Sequence, residues 1–329
     1  MLKFIAKRLA VSVLILFFVT FLIYALEFSL PTSYVEMTAR ELATKPGAAK
    51  SAKEWIAELN VQYGMDKGLV RGYFTWMGNA VRGNFGDSWN WTMSVTETFR
   101  RCIWYSFALS SVAFLLEIFL AVPLGVLAAR KQYSLTDYSV TVVSLIGISM
   151  PTFFVATVLK MIFSVKLGWF ELSGMQGRDF PNLSELGQFL DLVAHMVLPA
   201  ATLVIVNVGG LMRYTRTNML EVLNSDYIRT ARAKGLPESK VIGRHAFRNT
   251  LIPLITLLGS SLPGLFAGAL ITETLFSIRG IGFTSYYSMI NGDIPFTMFY
   301  LAFSAILTLL GNLAADILYA VVDPRVRVN

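Results

Sequence analysis

Six long apolar runs, at residues 9–28, 103–129, 139–165, 193–212, 251–271 and 296–322, alternate with polar segments along the chain. Each holds about 20 residues or more, enough at ~1.5 Å per residue to cross the ~30 Å hydrocarbon core of a bilayer. The pattern predicts six transmembrane helices of an all-α membrane protein. Lys3, Lys7 and Arg8 precede the first run, which is longer than a signal-peptide core and is not followed by a small-residue cleavage site. It reads as an uncleaved first span with the N-terminus inside.

Two polar stretches stand out. Residues 30–102 form the long one, in which Lys53, Glu54 and Glu58 alternate with Trp55, Ile56 and Leu59 at helical spacing. That spacing predicts a helical insert outside the membrane, with a flexible link at Lys45 and the four residues after it. Its aromatic residues, Tyr73, Phe74, Trp76, Phe85, Trp89 and Trp91, are either a binding surface or an interfacial belt with a packed core. The shorter stretch, 226–250, predicts two helices with a tight bend between the fourth and fifth spans. Tyr227, Ile228 and Ala231 share one face of the first helix, Gly235 suits a left-handed ending, and Pro237 and Glu238 suit the start of the second. The domain division is therefore 1–29, 30–102 and 103–329.

Charge sets the orientation. Arg229, Arg232, Lys234, Lys240, Arg244 and Arg248 outnumber Asp226 and Glu238 in the short stretch, while Arg130 and Lys131 follow the second run and Arg325 and Arg327 the sixth. Short basic loops stay in the cytoplasm, so both termini are expected there, whereas a long external segment translocates largely regardless of charge. A basic anchor on anionic lipid is the simpler reading of 226–250. An anchor, however, needs no glycine-proline bend and no face of small residues, so a docking element for a cytoplasmic partner explains more.

Composition agrees with a polytopic membrane protein: 55% of residues are hydrophobic and 15% charged, too apolar for an ordinary soluble domain. The net charge of +7 lies in segments bordering the apolar runs, where topology explains it better than nucleic-acid binding does. One cysteine, Cys102, excludes an intramolecular disulfide within the chain. The sequence has no Gly-x-x-x-x-Gly-Lys-Ser/Thr loop, no His-Glu-x-x-His and no Gly-x-Ser-x-Gly, so an ATPase, zinc protease or serine hydrolase of the usual kinds is not indicated. No cofactor is expected in this chain. His195 reads as a core histidine satisfied by a neighbour.

Glu117 is the one charge deep in a run. Ser106, Ser110, Ala113 and Ala121 share its helical face, while Val112, Leu115, Phe119, Val122 and Val126 lie opposite, so Glu117 should face the bundle. It is either a hydrogen-bonded interface residue or a carboxylate beside a translocation path. Lys160 is expected to extend towards the outer membrane surface.

Longer motifs carry a resemblance. MLEVLNSDYIRTARAKGL from Met219, RHAFRN from Arg244 and NLAADILYAVVDPRVR from Asn312, with RGNFGDS, ISMPTFF, HMVLPAATL and TETLFSIRGIG elsewhere, resemble the permease subunits of ABC importers, in the dipeptide and oligopeptide branch. The resemblance implies a bacterial or archaeal cell-membrane subunit forming half of a translocation pathway. Its implied partners are a second homologous permease, two ATP-binding subunits holding ATP and Mg, an external solute-binding protein and membrane lipid, with no nucleic acid. It assigns coupling to the ATP-binding subunits to Asp226, Arg229, Thr230, Ala231, Arg232, Gly235, Arg244, His245 and Arg248. The alternatives are a permease for another solute, or an ion-coupled secondary transporter or channel, which would carry more ionisable residues near the midplane.

Overall fold

The computed structural model describes residues 2–29, 34–44, 50–62, 67–91 and 93–322. The link expected at 45–49 and the terminal Arg325 and Arg327 lie outside the described residues. The described chain is helical: α1 (Leu2–Ser29), α2 (Tyr34–Thr44), α3 (Ala52–Gln62), α4 (Leu69–Val81), α5 (Val95–Arg130), α6 (Leu135–Ser149), α7 (Thr152–Leu159) continuing as a π-helix at Lys160–Lys166, α8 (Glu185–Leu223), α9 (Asp226–Ala233), α10 (Glu238–Lys240), α11 (Arg248–Ser261), α12 (Leu270–Leu275), α13 (Ile281–Ile290) and α14 (Ile294–Val322).

 Four of these, α1, α5, α8 and α14, are each long and apolar enough to cross a membrane, and two bent pairs raise the total to six if each pair is one span.

Those bent pairs fall on the runs at 139–165 and 251–271, each expected as one span. α6 and the helix Thr152–Lys166 meet at 101°. The cause is local: Pro151 forces the residue before it out of helical geometry, and Met150 is extended at φ −82° and ψ 128°. The fifth run bends by 44° between Glu238–Leu251 and Pro253–Phe266. Ile271, expected at its end, belongs instead to α12, after a 3₁₀ turn at Leu262–Phe266. Pro123 and Pro199, by contrast, sit inside the continuous helices α5 and α8.

The chain divides into two compact units, 1–104 with 284–313 and 105–283 with 314–329. In the first, α4 lies along α1, where Tyr73 is fully buried among Phe17, Phe21, Tyr24 and Trp76 and its hydroxyl lies 3.0 Å from that of Thr20. Trp55 and Ile56 of α3 pack on Val35 and Ala39 of α2, as their spacing predicts. Phe85 packs edge-on against Phe299, and the Trp91 indole N–H donates to Ser288 Oγ at 3.0 Å. Most of the aromatic set is thus packed core; Phe74 remains exposed.

In the second unit α6 packs closely on α8. A Cβ on Gly209 would lie 2.4 Å from the Ser144 carbonyl oxygen, so only glycine lets the two backbones meet there. Beyond its apolar run α8 continues to Leu223 and leads directly into α9.

Candidate functional site

The 226–250 stretch folds as a helix and a sharp turn, because its ending is encoded twice. Gly235 takes φ +74°, a conformation that costs a residue with a Cβ about 1 kcal/mol or more. Its N–H donates to the Arg232 carbonyl and that of Leu236 to the Ala231 carbonyl, the paired bonds that close an α-helix before a left-handed glycine. Leu236 then folds back on the cluster formed by Ala129, Met219, Ile228, Ala231, Val241, Ile242 and Ala246. Arg232 spans the turn, donating to both carboxylate oxygens of Glu238 at 2.8 and 3.2 Å. The guanidinium holds the Glu238 carboxyl below the usual carboxylate range.

Two details differ from the sequence pattern. The second helix does not stop before the apolar run: Glu238–Lys240 passes through a π-helical segment, Val241–Phe247, into α11 without leaving helical backbone angles. Tyr227 does not join the packed face but is exposed, leaving Ile228 and Ala231 buried. Ala231 is 6% exposed, so its small side chain fits α9 onto this chain's own core and is not itself a free surface.

What remains outward is a polar ridge. Asp226, Arg229, Thr230, Arg232, Gly235, Arg244 and Arg248 are exposed, and His245 is half-buried. Arg229 lies 3.4 Å from Asp226, whereas Arg244 and Arg248 make no ion pair among the described residues. The arrangement presents a small hydroxyl residue, Thr230, on α9 and the two arginines on the following helix, with both segments backed by the same apolar cluster.

Glu117 lies on the expected face of α5, half-buried, with Ser106, Ala113 and Ala121 buried and Val112, Leu115 and Phe119 exposed, whereas Val122 and Val126, expected among the outward residues, pack half-buried against the clusters around Leu211 and Ala231. The sequence pattern gave no prominence to a second carboxylate, Glu273. It is fully buried and accepts from Ser106 Oγ at 2.6 Å and from the N–H groups of Ala269 and Phe283 at 2.9 and 2.8 Å. Ser106 Oγ in turn accepts from the Ile281 N–H at 2.7 Å. One carboxylate thereby ties α5 to both ends of the α12 turn. Lys160 does not extend outwards: its ammonium donates to the carbonyl of Leu275, the last residue of α12, and sits 5.3 Å from the Phe276 ring. Helix-end carbonyls lack intrahelical donors, which makes them natural partners for a nearby lysine. His195 has its expected neighbour at Nδ1, 2.7 Å from the Asp191 carbonyl oxygen, but its buried Nε2 has no partner among the described residues.

Asp137 and Arg216 form a further pair that spacing did not reveal. Arg216 donates through Nε and Nη2 to the two oxygens of Asp137 at 2.6 and 2.8 Å, and the Tyr133 N–H donates to the same carboxylate at 3.0 Å. The pair joins the start of α6 to the far end of α8, just before α9.

An apolar helical body, an irregular α12 turn fixed from within and a basic ridge held on the end of a long helix suit a membrane subunit that meets a partner outside the bilayer. Comparison with known proteins agrees. Residues 121–328 match the model of the binding-protein-dependent transport system inner membrane component, and residues 1–125 match that of its N-terminal part. Over 327 residues the chain is 37% identical to the oligopeptide transport system permease protein AppB of Bacillus subtilis, covering 99% of both chains. It is 38% identical to the di/tripeptide transport system permease protein DppB of Pseudomonas aeruginosa and 34% identical to the dipeptide transport system permease protein DppB of Escherichia coli K12, again covering 99% of each chain. The chain belongs to the family of binding-protein-dependent transport system inner membrane components.

Proposed function

We propose that the chain is the permease subunit of an ATP-driven importer of peptides. The observation that carries this reading is the likeness, along the whole chain, to permeases named for oligopeptides, dipeptides and tripeptides. The chain has no nucleotide-binding loop of its own, so energy enters through partner subunits. In this reading six spans cross the membrane, each bent pair counting as one, with both termini and the 226–250 stretch cytoplasmic and residues 30–102 external. A second permease completes the pathway, two ATP-binding subunits hold ATP and Mg, and an external binding protein delivers the substrate.

Coupling runs through the ridge. Closure of the ATP-binding subunits around nucleotide moves α9, and α9 moves α8 and α5, because Ile228 and Ala231 are packed against Met219 and Ala129. Such a rigid link between two conformational states is what alternating access requires. In this reading Glu117 faces the pathway and attracts a cationic group such as a peptide's amino terminus, a role supported by its half-burial on the face shared with Ser106, Ala113 and Ala121.

The test is purification of the tagged chain from its native membrane, followed by uptake assays in vesicles. ATP-binding subunits should copurify, and uptake of short peptides should need both ATP and the cognate binding protein. Uptake that persists without ATP and collapses with the ion gradient would establish the secondary-transporter alternative instead.

A further inference from the structure

A pocket of about 340 Å³ lies between α6 and the end of α8, lined by Val140, Thr141, Ser144, Leu145, Met212, Arg213, Arg216 and Thr217. Its charge is unbalanced. Asp137 neutralises Arg216 through Nε and Nη2, which leaves Nη1 without a partner among the described residues. Arg213 is exposed and makes no ion pair among the described residues. Two guanidiniums are therefore balanced by a single carboxylate, which only Arg216 contacts, and guanidinium forks match the oxygens of a phosphate. Ser144 and Thr217 direct their hydroxyl protons to backbone carbonyls within their own helix, so the pocket's polarity towards an anion comes chiefly from the two arginines.

Depth identifies the kind of anion. Arg213 follows immediately on Met212, the last residue of the fourth apolar run, on the side of the membrane that leads into α9. That is the level of lipid headgroups. From the pocket, α6 presents Val142, Val143, Leu145 and Ile146 exposed along its outer side, an apolar track suited to acyl chains and of no use to a free ion. We propose that this pocket binds the phosphate of an anionic membrane phospholipid, with Arg213 as the principal donor and Arg216 Nη1 as the second. The inference rests on the membrane-subunit reading, but its test does not: copurification with ATP-binding subunits is scored separately.

The complex is exchanged into nanodiscs of mixed phosphatidylglycerol and phosphatidylcholine, and the lipid retained on release is measured by native mass spectrometry. The unaltered complex should retain phosphatidylglycerol over phosphatidylcholine. Arg213→Gln should lower that retention about fivefold, the equivalent of one cation at a membrane surface, and Arg213→Lys should restore most of it. Leu145→Trp, which fills the mouth without touching the ion pair, should lower it as well. Equal retention in the unaltered complex, Arg213→Gln and Leu145→Trp overturns the proposal. So does displacement of the retained lipid by millimolar inorganic phosphate, which would make the pocket a free-anion site.

Discussion

The stretches 226–247 and 267–283 both interrupt apolar helices with polar residues, yet they turn those residues in opposite directions. In the first, Ile228, Ala231, Val241 and Ala246 face inward and the charges face solvent. In the second, Glu273 is fully buried and the polar contacts close on one another. The difference follows from the turns. Gly235 ends α9 by satisfying the helix's own carbonyls, so no side chain is needed inside. Around α12 several backbone N–H groups are left without helical partners, and only a buried acceptor can satisfy them. A polar break can therefore be a surface for another molecule or a clamp within this one, and burial of the charge tells which.

The largest effect expected from this contrast is at the clamp. Glu273→Ala strands the donors at Ser106, Ala269 and Phe283, each worth about 1–3 kcal/mol when buried unpaired, so thermal unfolding of the purified protein should show a loss of several kcal/mol. Glu273→Gln retains an acceptor and should lose less. Equal stability of Glu273→Ala and the unaltered chain would mean that water reaches these groups and that the segment is no clamp.

Next comes the buried side of the ridge. Ala231→Leu forces extra methylenes between α9, Met219 and Val241, and should cost about 1–3 kcal/mol in the same measurement. Thr230→Ala, one residue away on the exposed side, should change stability by less than ~0.5 kcal/mol. Similar losses at the two positions would erase the distinction between packed face and free face.

A smaller effect is expected at the turn itself. Gly235 has open space where a Cβ would go, so Gly235→Ala meets no clash and costs only its positive φ, about 1 kcal/mol. Membrane insertion should be unchanged, as judged by the amount of protein recovered in the membrane fraction.

These residues also show what the sequence made legible. The helix at α9, the left-handed Gly235 and the exposure of Val112, Leu115 and Phe119 on α5 follow from short-range spacing, whereas Val122 and Val126, on the same expected side of α5, pack into the clusters around Leu211 and Ala231. The ridge was visible because its charges are adjacent in sequence. Asp137 and Arg216 are 79 residues apart and Ser106 and Glu273 167 apart, so no local period connects them. The inward role of Ala231 was hidden for another reason: a small residue lets either a partner or the chain's own core approach, and spacing alone does not choose between them. The bend at Met150 was implicit in Pro151, but hydropathy continues unbroken across it and reads as a single span.

The central claim is that the exposed face of α9 transmits nucleotide closure to the membrane helices. Thr230→Trp tests it most directly, because the added ring stands on the free face, clear of the Ile228 and Ala231 core. In reconstituted complexes the account predicts normal assembly and thermal stability, with stimulation of ATP hydrolysis by loaded binding protein lost and peptide uptake lost with it. Full stimulation and full uptake in Thr230→Trp would show that this face does not carry the coupling.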